Sequence, residues 1–378
     1  MFRPISLLFI DIVTTNGMQK MLKTGINHND HILRSRMKGN LHVRFWIGGG
    51  ESDLPADHTR KRDWKPRACR GVQTACMVQK EHLEELYRDC YPLLFAIAYR
   101  MLGSASDAED IVQECYLRYM RASPTEISSP KSYLATIVTR LCLDSLKSAR
   151  MQREQYAGVW LPEPILTTDL QEPAWQTLEQ HESISMAFLL LLERLTPYER
   201  AVFLLREVFS YSYQEIAEIV GKSATYCRQI FHQAKAHLGE SRARFTPPSK
   251  EAQQHLVERF LAASQHGEMQ ALVDVLAQDV TWWADGGGKV YAAPYPLHGR
   301  EQILRLWSGL VRKSPSWYPG LHFTSAVVNG TAGILVWSKE TLLSVVSCEV
   351  TDKHISSLYE VVNPDKLVYI QRQARRSL

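Results

Sequence analysis

Residues 195–238 read as two amphipathic helices joined by a tight turn, a pattern that leaves few alternatives for this part of the chain. Gly221 can supply the positive φ that the turn needs, and Ser223 can cap the following helix. The first helix places three apolar residues on one face, namely Ile216, Ala217 and Val220. The pattern predicts a helix-turn-helix.

The second of these helices separates an apolar face from a polar one. The apolar face should pack inward and consists of Cys227, Ile230, Phe231, Ala234 and Leu238. The polar face has no acidic residue and offers the hydrogen-bond donors that contacts to DNA bases and phosphates require. With the cap, its residues are Ser223, Thr225, Tyr226, Arg228, Gln229, His232 and Lys235. A helical hairpin with a solvated polar face is the alternative that this motif alone leaves open.

Composition is typical of a multidomain protein with little net charge. The 378 residues are 45% hydrophobic, which is enough for two or three domains with buried cores. The formal net charge is +4, and residues 1–76 hold 13 Lys+Arg against 6 Asp+Glu while the remainder holds 31 against 34. Any nucleic-acid interface must therefore be a local patch.

Seven cysteines lie at positions 69, 76, 90, 115, 142, 227 and 348, without a C-x-x-C pair. Several fall on apolar helix faces, which favours buried thiols over disulfides or zinc ligands. The apolar opening MFRPISLLFIDIV is interrupted by Asp11 and lacks a small-residue cleavage site, so it is a poor signal peptide and too short to span a membrane. We expect a soluble cytoplasmic protein without a metal or cofactor.

Residues 1–76 are rich in polar residues, glycine and charge and have little periodicity, so we expect a mostly disordered extension. Organised sequence begins just after Met77, and a biological start at Met77 would make the earlier residues a gene-model extension. A basic run in this segment is better explained as solvated than as a DNA contact; it comprises Arg60, Lys61, Arg62, Lys65 and Arg67.

Residues 81–122 should form two helices. Pro92 should bend or restart the first, and Gly103 should end it. In the second, SDAEDIVQECYLRYMRA, the spacing of Ser106 and Glu109 predicts a capping box. Its accessible face combines acidic and apolar groups and is typical of a protein-docking surface; it includes Asp110, Gln113, Glu114 and Leu117. An ordinary well-capped amphipathic helix is the alternative.

A further helix should begin at Pro130, after the cap residue Ser129. One of its faces interleaves aromatic and hydroxyl groups with cations, which suits stacking on unpaired bases and neutralising phosphates; it comprises Tyr133, Thr136, Arg140, Asp144, Lys147, Arg150 and Arg153. A solvated face would look similar. Residues 154–182 read as a linker that docks through Trp160 and Trp175.

The order of SDAEDIVQE, SYLATIVTRLCLD with the trailing ARMQRE, a linker, and LTPYERAVFLLREVFSYSYQEIAEIVGKSATYCRQIFHQAKAHL resembles a bacterial sigma factor of the extracytoplasmic-function (ECF) type over residues 80–240. In that family the first helical domain binds the clamp helices of RNA polymerase and melts the minus-ten promoter element. The second reads the minus-thirty-five element.

The resemblance implies roles for the matching residues. Polymerase binding falls on Asp107, Glu109, Asp110, Gln113 and Glu114, beside Leu117. Promoter opening falls on Tyr133, Arg140, Asp144, Lys147 and Arg150, and the recognition helix supplies Thr225, Tyr226, Arg228, Gln229 and Lys235. Many relatives carry tryptophan at the position of Tyr133, which leaves its stacking role open.

Beyond residue 248 the pattern changes to helices and then, from residue 280, to strands. HFTSAVV and AGILVWS flank Asn329-Gly330 as a hairpin, and LLSVVSCEV and HISSLYEVV follow as further strands. This α+β pattern resembles the SnoaL-like branch of the nuclear-transport-factor-two-like cone fold. A minority of ECF sigma factors carry such a domain at the C-terminus and share three motifs with it.

All three motifs are present. WLPEP comprises Trp160, Leu161, Pro162, Glu163 and Pro164; DGGGK comprises Asp285, Gly286, Gly287, Gly288 and Lys289; NPDKL comprises Asn363, Pro364, Asp365, Lys366 and Leu367. The resemblance implies that they mediate contacts between the C-terminal and sigma domains and tune activity. Judged by their residues alone, DGGGK is better explained as a turn at the cone mouth than as a phosphate loop, and NPDKL as a proline turn with Asp365 and Lys366 exposed.

Two other functions stay open as alternatives. The cone domain could be an active small-molecule enzyme or a ligand sensor, with Asp285, His298, His322 and Glu349 as candidate acids and bases, although their spacing shows no paired arrangement. A DNA-binding regulator that works without polymerase is disfavoured, because an acidic docking helix precedes the basic one.

The predicted fold class is multidomain, with two all-α sigma domains followed by an α+β SnoaL-like cone domain. The predicted boundaries are 1–76 for the extension, 77–153 for sigma domain 2, 154–182 for the linker, 183–245 for sigma domain 4 and 249–378 for the SnoaL-like domain. The predicted function is promoter-specific initiation, modulated in cis by the C-terminal domain. The predicted partners are core RNA polymerase and promoter DNA, with a ligand of the C-terminal pocket left open and no anti-sigma factor inferable.

Overall fold

A computed structural model describes residues 69–122, 127, 129–154, 156–167, 184–239, 250–313, 319–351 and 353–376. The basic run and residues 1–68 of the predicted disordered extension lie outside these residues, as does Trp175. The prediction of disorder is wrong for residues 69–76, which are helical. In the part of the chain that the structure describes, no helix is long and apolar enough to cross a membrane. Nor do these residues include a group of His, Cys, Asp and Glu side chains that could hold a metal ion.

Three helices form the first bundle: α1 (Cys69–Leu102), α2 (Ala105–Arg121) and α3 (Pro130–Glu154). Helix α1 begins before Met77 and runs through Pro92 without a break, because its buried turns beyond the proline hold it in place. Gly103 has φ +68° and ends it, as predicted.

The predicted capping box of α2 is wrong. The cap is Ser104, whose side chain accepts a hydrogen bond from the Asp107 N–H, so the helix begins two residues earlier than a Ser106 cap would allow. Ser106 instead donates its hydroxyl to Glu163, far along the chain. A long-range partner therefore removes Ser106 from the role that its local spacing predicted.

Four helices form the second bundle: α4 (Met186–Leu192), α5 (Pro197–Glu207), α6 (Tyr213–Val220) and α7 (Ala224–Leu238). Capping boxes begin both α5 and α6. Gly221 has φ +68° and the Ser223 side chain caps α7, as predicted. The apolar face of α7 is buried, which confirms the helix-turn-helix.

The C-terminal domain combines helices with one six-stranded sheet. Its elements are α8 (Lys250–His266), α9 (Met269–Val275), β1 (Leu276–Asp285), β2 (Leu297–His298), α10 (Arg300–Lys313), β3 (Leu321–Val328), β4 (Thr331–Ser338), β5 (Thr341–Thr351), β6 (His354–Val361) and α11 (Pro364–Arg376). The strand order is β2-β1-β6-β5-β4-β3, with β1 and β6 parallel and the other neighbours antiparallel. The predicted β3–β4 hairpin turns at Asn329 (φ +50°) and Gly330 (φ +74°).

The two faces of this sheet have different partners. One face shares a core with α8, α9 and α10, through residues such as Phe260 and Trp307. The other shares a core with residues from the linker, α4 and α11, including Leu161, Met186 and Ile370. Helical domains followed by an α+β sheet domain confirm the predicted fold class. The second face of the sheet connects this domain to the linker and to α4 of the second bundle.

Candidate polymerase and DNA interfaces and the interdomain cluster

The predicted docking face of α2 is accessible along its length. Its exposed or partly exposed members are Asp107, Glu109, Asp110, Gln113, Glu114 and Leu117. Glu114 pairs with Arg118 at 2.8 Å. The pKa of Asp110 lies above its ordinary value, because the surrounding protein partly desolvates the carboxyl and Asp107 adds negative charge. Four carboxyl side chains, those of Asp107, Glu109, Asp110 and Glu114, make this face an acidic surface, as the docking prediction requires.

Exposed apolar side chains accompany this acidic face. Leu117 is 43% exposed, Met120 is 47% exposed, and Tyr87 on α1 is 40% exposed. Sequence analysis missed Met120 and Tyr87, although the three-residue step from Leu117 to Met120 indicates a shared helix face. An acidic surface with an apolar margin suits a protein partner.

The polar face of α3 has varied surroundings. Tyr133 is 37% exposed, with its ring centroid 6.3 Å from that of Tyr119. Lys147 pairs with Asp144 at 2.9 Å on the surface. The side chain of Arg150 lies outside the described residues.

Arg140 ties α3 to the C-terminal end of α6. Its Nε and Nη2 atoms donate to the carbonyl oxygens of Ile219 and Glu218, each at 2.9 Å. The last carbonyls of a helix have no intrahelical donor, and a cation there also complements the helix dipole. A side chain predicted to contact DNA therefore holds the second bundle against the first.

Two buried arginines reinforce the contact between the bundles. Arg200, which is 3% exposed, donates through Nη1 to the Met101 carbonyl and to Glu193, both at 2.7 Å. Arg100 is 1% exposed and lies 5.5 Å from the ring centroid of Phe209. Burial lowers the pKa of Arg100 to about 9 and that of Arg200 to about 10. Both side chains remain cationic at neutral pH.

The predicted recognition helix α7 presents its polar face to solvent. Its exposed residues include Thr225, Tyr226, Arg228, Gln229, His232 and Lys235, after the cap Ser223. Two cations lie over aromatic rings: Arg228 is 5.2 Å from the centroid of Tyr213, and Lys235 is 5.3 Å from that of Phe231. The face is accessible as predicted, and its role in base reading stays a prediction.

The three shared motifs meet at Asp285, the last residue of β1. Its carboxylate is fully buried and accepts hydrogen bonds from the Tyr156 hydroxyl (2.6 Å), the Leu161 N–H (2.8 Å) and Lys366 Nζ (2.7 Å). Lys366 also donates to the Leu161 carbonyl and lies 4.4 Å from the ring centroid of Trp160. One buried ion pair thus joins the linker, β1 and α11.

The prediction that Lys366 is exposed is wrong. Pro364 begins α11 rather than a free turn, and the side chain of Lys366 is only 14% exposed in its pair with Asp285. Asp365 is exposed, as predicted, and pairs with Lys289 across the surface of the same cluster. The Asn363-Pro364 pair indicates a turn, but it does not reveal that Lys366 pairs with Asp285, which is distant along the chain.

The glycines of DGGGK allow close packing in this cluster. Gly287 and Gly288 have φ of +60° and +68°, and the Lys289 N–H donates to the Gly286 carbonyl at 3.0 Å. A Cβ atom at Gly287 would lie 2.1 Å from Asn363 Nδ2. The segment forms a tight turn against NPDKL, and the side-chain amide of Asn363 donates to Tyr156 at 3.0 Å.

Glu163 of WLPEP fastens the linker to the first bundle. Its carboxylate accepts hydrogen bonds from the hydroxyls of Ser104 (3.0 Å) and Ser106 (2.8 Å) and from the Ser106 N–H (3.0 Å). Its backbone N–H donates to the Gly103 carbonyl at 2.8 Å. Burial raises the pKa of Glu163, and these hydrogen bonds oppose the rise.

Asn329, at the β3–β4 turn, links the C-terminal domain to the first bundle, to the linker and to the segment that leads into the second bundle. Its Nδ2 donates to the Tyr99 hydroxyl (2.6 Å) and to the Ile184 carbonyl (2.9 Å), and its Oδ1 accepts from the Ile165 N–H (3.1 Å). The Tyr99 hydroxyl in turn donates to the Glu163 carbonyl at 2.7 Å. The buried Asn329 thus joins α1, the linker and the residues just before α4.

Sequence analysis missed most of the side chains that hold the linker. Tyr99, Tyr156, Asn329 and Gln373 were not predicted as contacts; Gln373 bonds both the N–H (2.8 Å) and the carbonyl (3.2 Å) of Leu166. Asn329 was assigned to a hairpin turn, which is right, but that assignment accounts for its backbone and not for its side chain. None of these residues forms a local pattern that points to the linker.

The structure does not bring the candidate acids and bases of the cone domain into one site. Asp285 is held by Lys366. His298 and His322 are exposed on β2 and β3, the two opposite edges of the sheet. Glu349, on β5, faces the start of α4, where Ser185 and the Ala187 N–H bond its carboxylate. The four groups lie in separate environments.

Comparison with known proteins agrees with this architecture. The chain matches the family model of sigma-70 region 2 over residues 86–151 and that of sigma-70 region 4 over residues 185–238. It is 34% identical to the ECF RNA polymerase sigma factor SigJ of Mycobacterium tuberculosis, covering 75% of this chain and 93% of SigJ. It is 31% identical to the probable ECF sigma factor SigI of the same species, covering 77% and 97% of the two chains.

One solved structure matches this chain across both the helical and the sheet-containing parts. The crystal structure of the M. tuberculosis ECF sigma factor SigJ matches 75% of this chain and 97% of its own, with 31% identity and a TM-score of 0.61. An NTF2-like protein of unknown function from Mesorhizobium loti matches 31% of this chain at 18% identity and a TM-score of 0.24. Two sigma regions in the expected order and a relative matched over nearly its whole length place this chain in the ECF sigma-70 family, as a non-enzymatic transcription initiation factor with a C-terminal α+β domain.

Proposed function

We propose that the C-terminal domain keeps this ECF sigma factor in a closed state, and that promoter-specific initiation in the cytoplasm requires this state to open. The observation that carries the proposal is the position of Arg140. Its guanidinium bonds the carbonyls of Glu218 and Ile219 through Nε and Nη2, so these two donors are occupied while the two bundles touch.

Promoter geometry supports the need for opening. The minus-ten and minus-thirty-five elements are named for positions about 25 base pairs apart, which is about 85 Å along B-form DNA at about 3.4 Å per base pair. A factor that reads both elements needs its two DNA-binding domains well separated. Helix α3 contacts α6 directly here, so the arrangement suits storage rather than promoter binding.

The linker gives the C-terminal domain its hold on both sigma regions. Asn329 and Glu163 connect the sheet and the linker to α1 and the start of α2, and Met186 of α4 packs on the sheet face. Rearranging this shared core would release both sigma regions. The acidic face of α2 would then bind core polymerase, while α3 and α7 would contact the minus-ten and minus-thirty-five elements.

The test uses full-length protein and two matched turn variants. Asn329→Gly keeps the left-handed backbone (φ +50°) but removes the three side-chain hydrogen bonds, whereas Lys339→Gly changes an exposed left-handed residue (φ +54°) at the β4–β5 turn. Affinity for core RNA polymerase and run-off transcription from genomic fragments are measured for both. Asn329→Gly should bind polymerase at least several-fold more tightly, and Lys339→Gly should match the wild type.

Unchanged or weaker polymerase binding by Asn329→Gly would contradict the closed state. The docking surface is tested separately with the double variant Asp110→Ala/Glu114→Ala. It should lose polymerase affinity and keep the wild-type promoter preference. Equal binding by that variant would remove α2 from the polymerase interface without bearing on the closed state.

A further inference from the structure

Tyr213, the first residue of α6, lies within cation–π distance of two arginines from the neighbouring helices. Arg206 of α5 is 4.9 Å from the ring centroid, and Arg228 of α7 is 5.2 Å from it. The ring also meets Phe231 at 6.1 Å in an edge-on arrangement. Three helices of the second bundle therefore converge on one aromatic side chain.

The arginine of α5 that meets the ring is itself anchored. Arg206 donates through Nη1 to the Tyr211 carbonyl at 2.9 Å, which anchors its guanidinium to the turn before α6. Ser212, immediately before the tyrosine, forms the capping box of α6 with Glu215. Backbone and side chain together hold Tyr213 at a set position relative to α7.

Arg228 is exposed in the first half of the recognition helix, and no ion pair among the described residues includes it. An exposed arginine has many rotamers, and reading a base with the guanidinium fork requires one of them. Stacking on an anchored ring restricts the guanidinium before DNA arrives. Pre-organisation of this kind lowers the cost of binding.

We infer that Tyr213 is a positioning residue for promoter recognition, whose ring orients Arg228 toward a base of the minus-thirty-five element. The inference rests on the proposed role of α7 as the recognition helix. It assigns part of the sequence preference to a residue outside that helix, which acts through Arg228 and makes no base contact of its own.

The test measures base preference at each position of the minus-thirty-five element. Full-length variants with core polymerase transcribe a promoter library in which this element is randomised, and the transcripts are sequenced. The variants are Arg228→Ala, Tyr213→Phe, Tyr213→Met and the double variant Arg228→Ala/Tyr213→Met. Tyr198→Met is the matched control, because Tyr198 carries a similar stacked cation, Lys222 at 5.4 Å, on the same bundle.

Arg228→Ala should flatten the preference at one position. Tyr213→Met should weaken the preference at that same position by about two- to fivefold, which corresponds to one exposed cation–π contact. Tyr213→Phe keeps the ring and should retain the preference. The double variant should be no worse than Arg228→Ala, and Tyr198→Met should leave the preference unchanged. Circular dichroism confirms folding, and Tyr213→Leu is the reserve variant if Tyr213→Met does not fold.

Three results would overturn the inference, two of them without affecting the recognition-helix assignment. Arg228→Ala could shift the preference while the Tyr213 variants lower transcription evenly across all sequences, which would make the ring a structural element only. Alternatively, Tyr213→Phe could reduce the salt dependence of DNA binding without changing base preference, which would make the hydroxyl a phosphate contact. If Arg228→Ala itself left every base preference intact, the recognition-helix assignment would fall first, and the role of Tyr213 with it.

Discussion

The ion pair between Asp285 and Lys366 lies at the centre of the interdomain cluster, which also contains Tyr156, Trp160 and Leu161. Taking two charges out of water is costly, and a buried pair persists only where other hydrogen bonds complete its geometry. Tyr156 and the Leu161 N–H supply these bonds to Asp285. Losing one partner would leave the other charge buried without compensation.

Asp285→Asn or Lys366→Met should each lower the free energy of unfolding by about 3–5 kcal/mol. Asp365→Asn is the control, because its pair with Lys289 has side chains that are 50% and 45% exposed; it should cost about 0–1 kcal/mol. Urea unfolding followed by tryptophan fluorescence measures both. The double variant Asp285→Asn/Lys366→Met should cost less than the sum of its parts, and strict additivity would show that the pair does not act as a unit.

Glu349 should make the stability of the molecule depend on pH. Ser185 and the Ala187 N–H bond its carboxylate, yet its Oε1 is buried without a hydrogen bond among the described residues, and burial raises its pKa to about 7. Between about pH 4.5 and 7, the Glu349 carboxyl is therefore protonated in the folded protein and ionised in the unfolded chain. Because the folded state binds more protons in that window, stability should fall as the pH rises through it and level off above it.

Glu349→Gln should flatten this pH dependence and raise the thermal midpoint above pH 7, because a neutral amide needs no desolvation of charge. Exposed Glu340, at the β4–β5 turn of the same sheet, provides the control Glu340→Gln, which should follow the wild-type curve. Thermal unfolding at pH steps from 5 to 8.5 measures the difference. Parallel curves for wild type and Glu349→Gln would remove Glu349 as the titrating group.

Helix ends and turns are predictable from the sequence where the signal is local. A turn or a helix cap can be predicted from one or two residues, as at Gly221, Ser223 and Asn329-Gly330. The structure confirms all three predictions. Lys366 and Ser106 were misassigned because their partners, Asp285 and Glu163, lie far away along the chain. Local periodicity carries no information about such pairs.

The conformation of the linker also depends on partners that are distant along the chain, and local sequence patterns do not reveal them. Residues 156–167 have no helical or strand period, and their order comes from partners on α1, α2, β1 and α11. Trp160 indicated that the linker docks, and the three motifs indicated that it meets the C-terminal domain. Neither could indicate Tyr99 or Gln373 as partners, because these residues are ordinary members of amphipathic helices.

Gly103 should be intolerant of a side chain because the linker packs against it. A Cβ atom there would lie 2.8 Å from Trp160 Cη2, whereas a Cβ atom at Gly158 would meet nothing within 4 Å. Both residues have positive φ, so Gly103→Ala and Gly158→Ala share the backbone cost and differ in the clash. Gly103→Ala should be less stable by about a further 1–3 kcal/mol. Urea unfolding of the two variants measures the difference, and equal stabilities would mean that Trp160 does not pack on this turn.

For the whole molecule, the C-terminal domain is part of a shared core rather than an appended module. One face of its sheet is completed by Leu161 of the linker, Met186 of α4 and Ile370 of α11. Deleting α11 would expose this face, so a change in activity could come from loss of regulation or from loss of folding. Substitutions that retain the sheet, such as Asn329→Gly, separate the two effects.

Amide hydrogen exchange should follow opening of this shared core. The N–H groups of Leu161, Glu163 and Ile165 are bonded by Asp285, Gly103 and Asn329, whereas the central strands β4 and β5 are bonded within the sheet. Binding of core polymerase should therefore speed exchange in residues 156–167 and leave β4 and β5 protected.

Asn329→Gly should produce part of the same change without polymerase, and Lys339→Gly should produce none. Mass spectrometry of peptides from free and polymerase-bound protein measures these rates. If the linker stayed as protected in the complex as in the free protein, the two sigma regions would bind polymerase without leaving the sheet. Arg140 would then have to reach DNA by a movement of α3 and α6 alone.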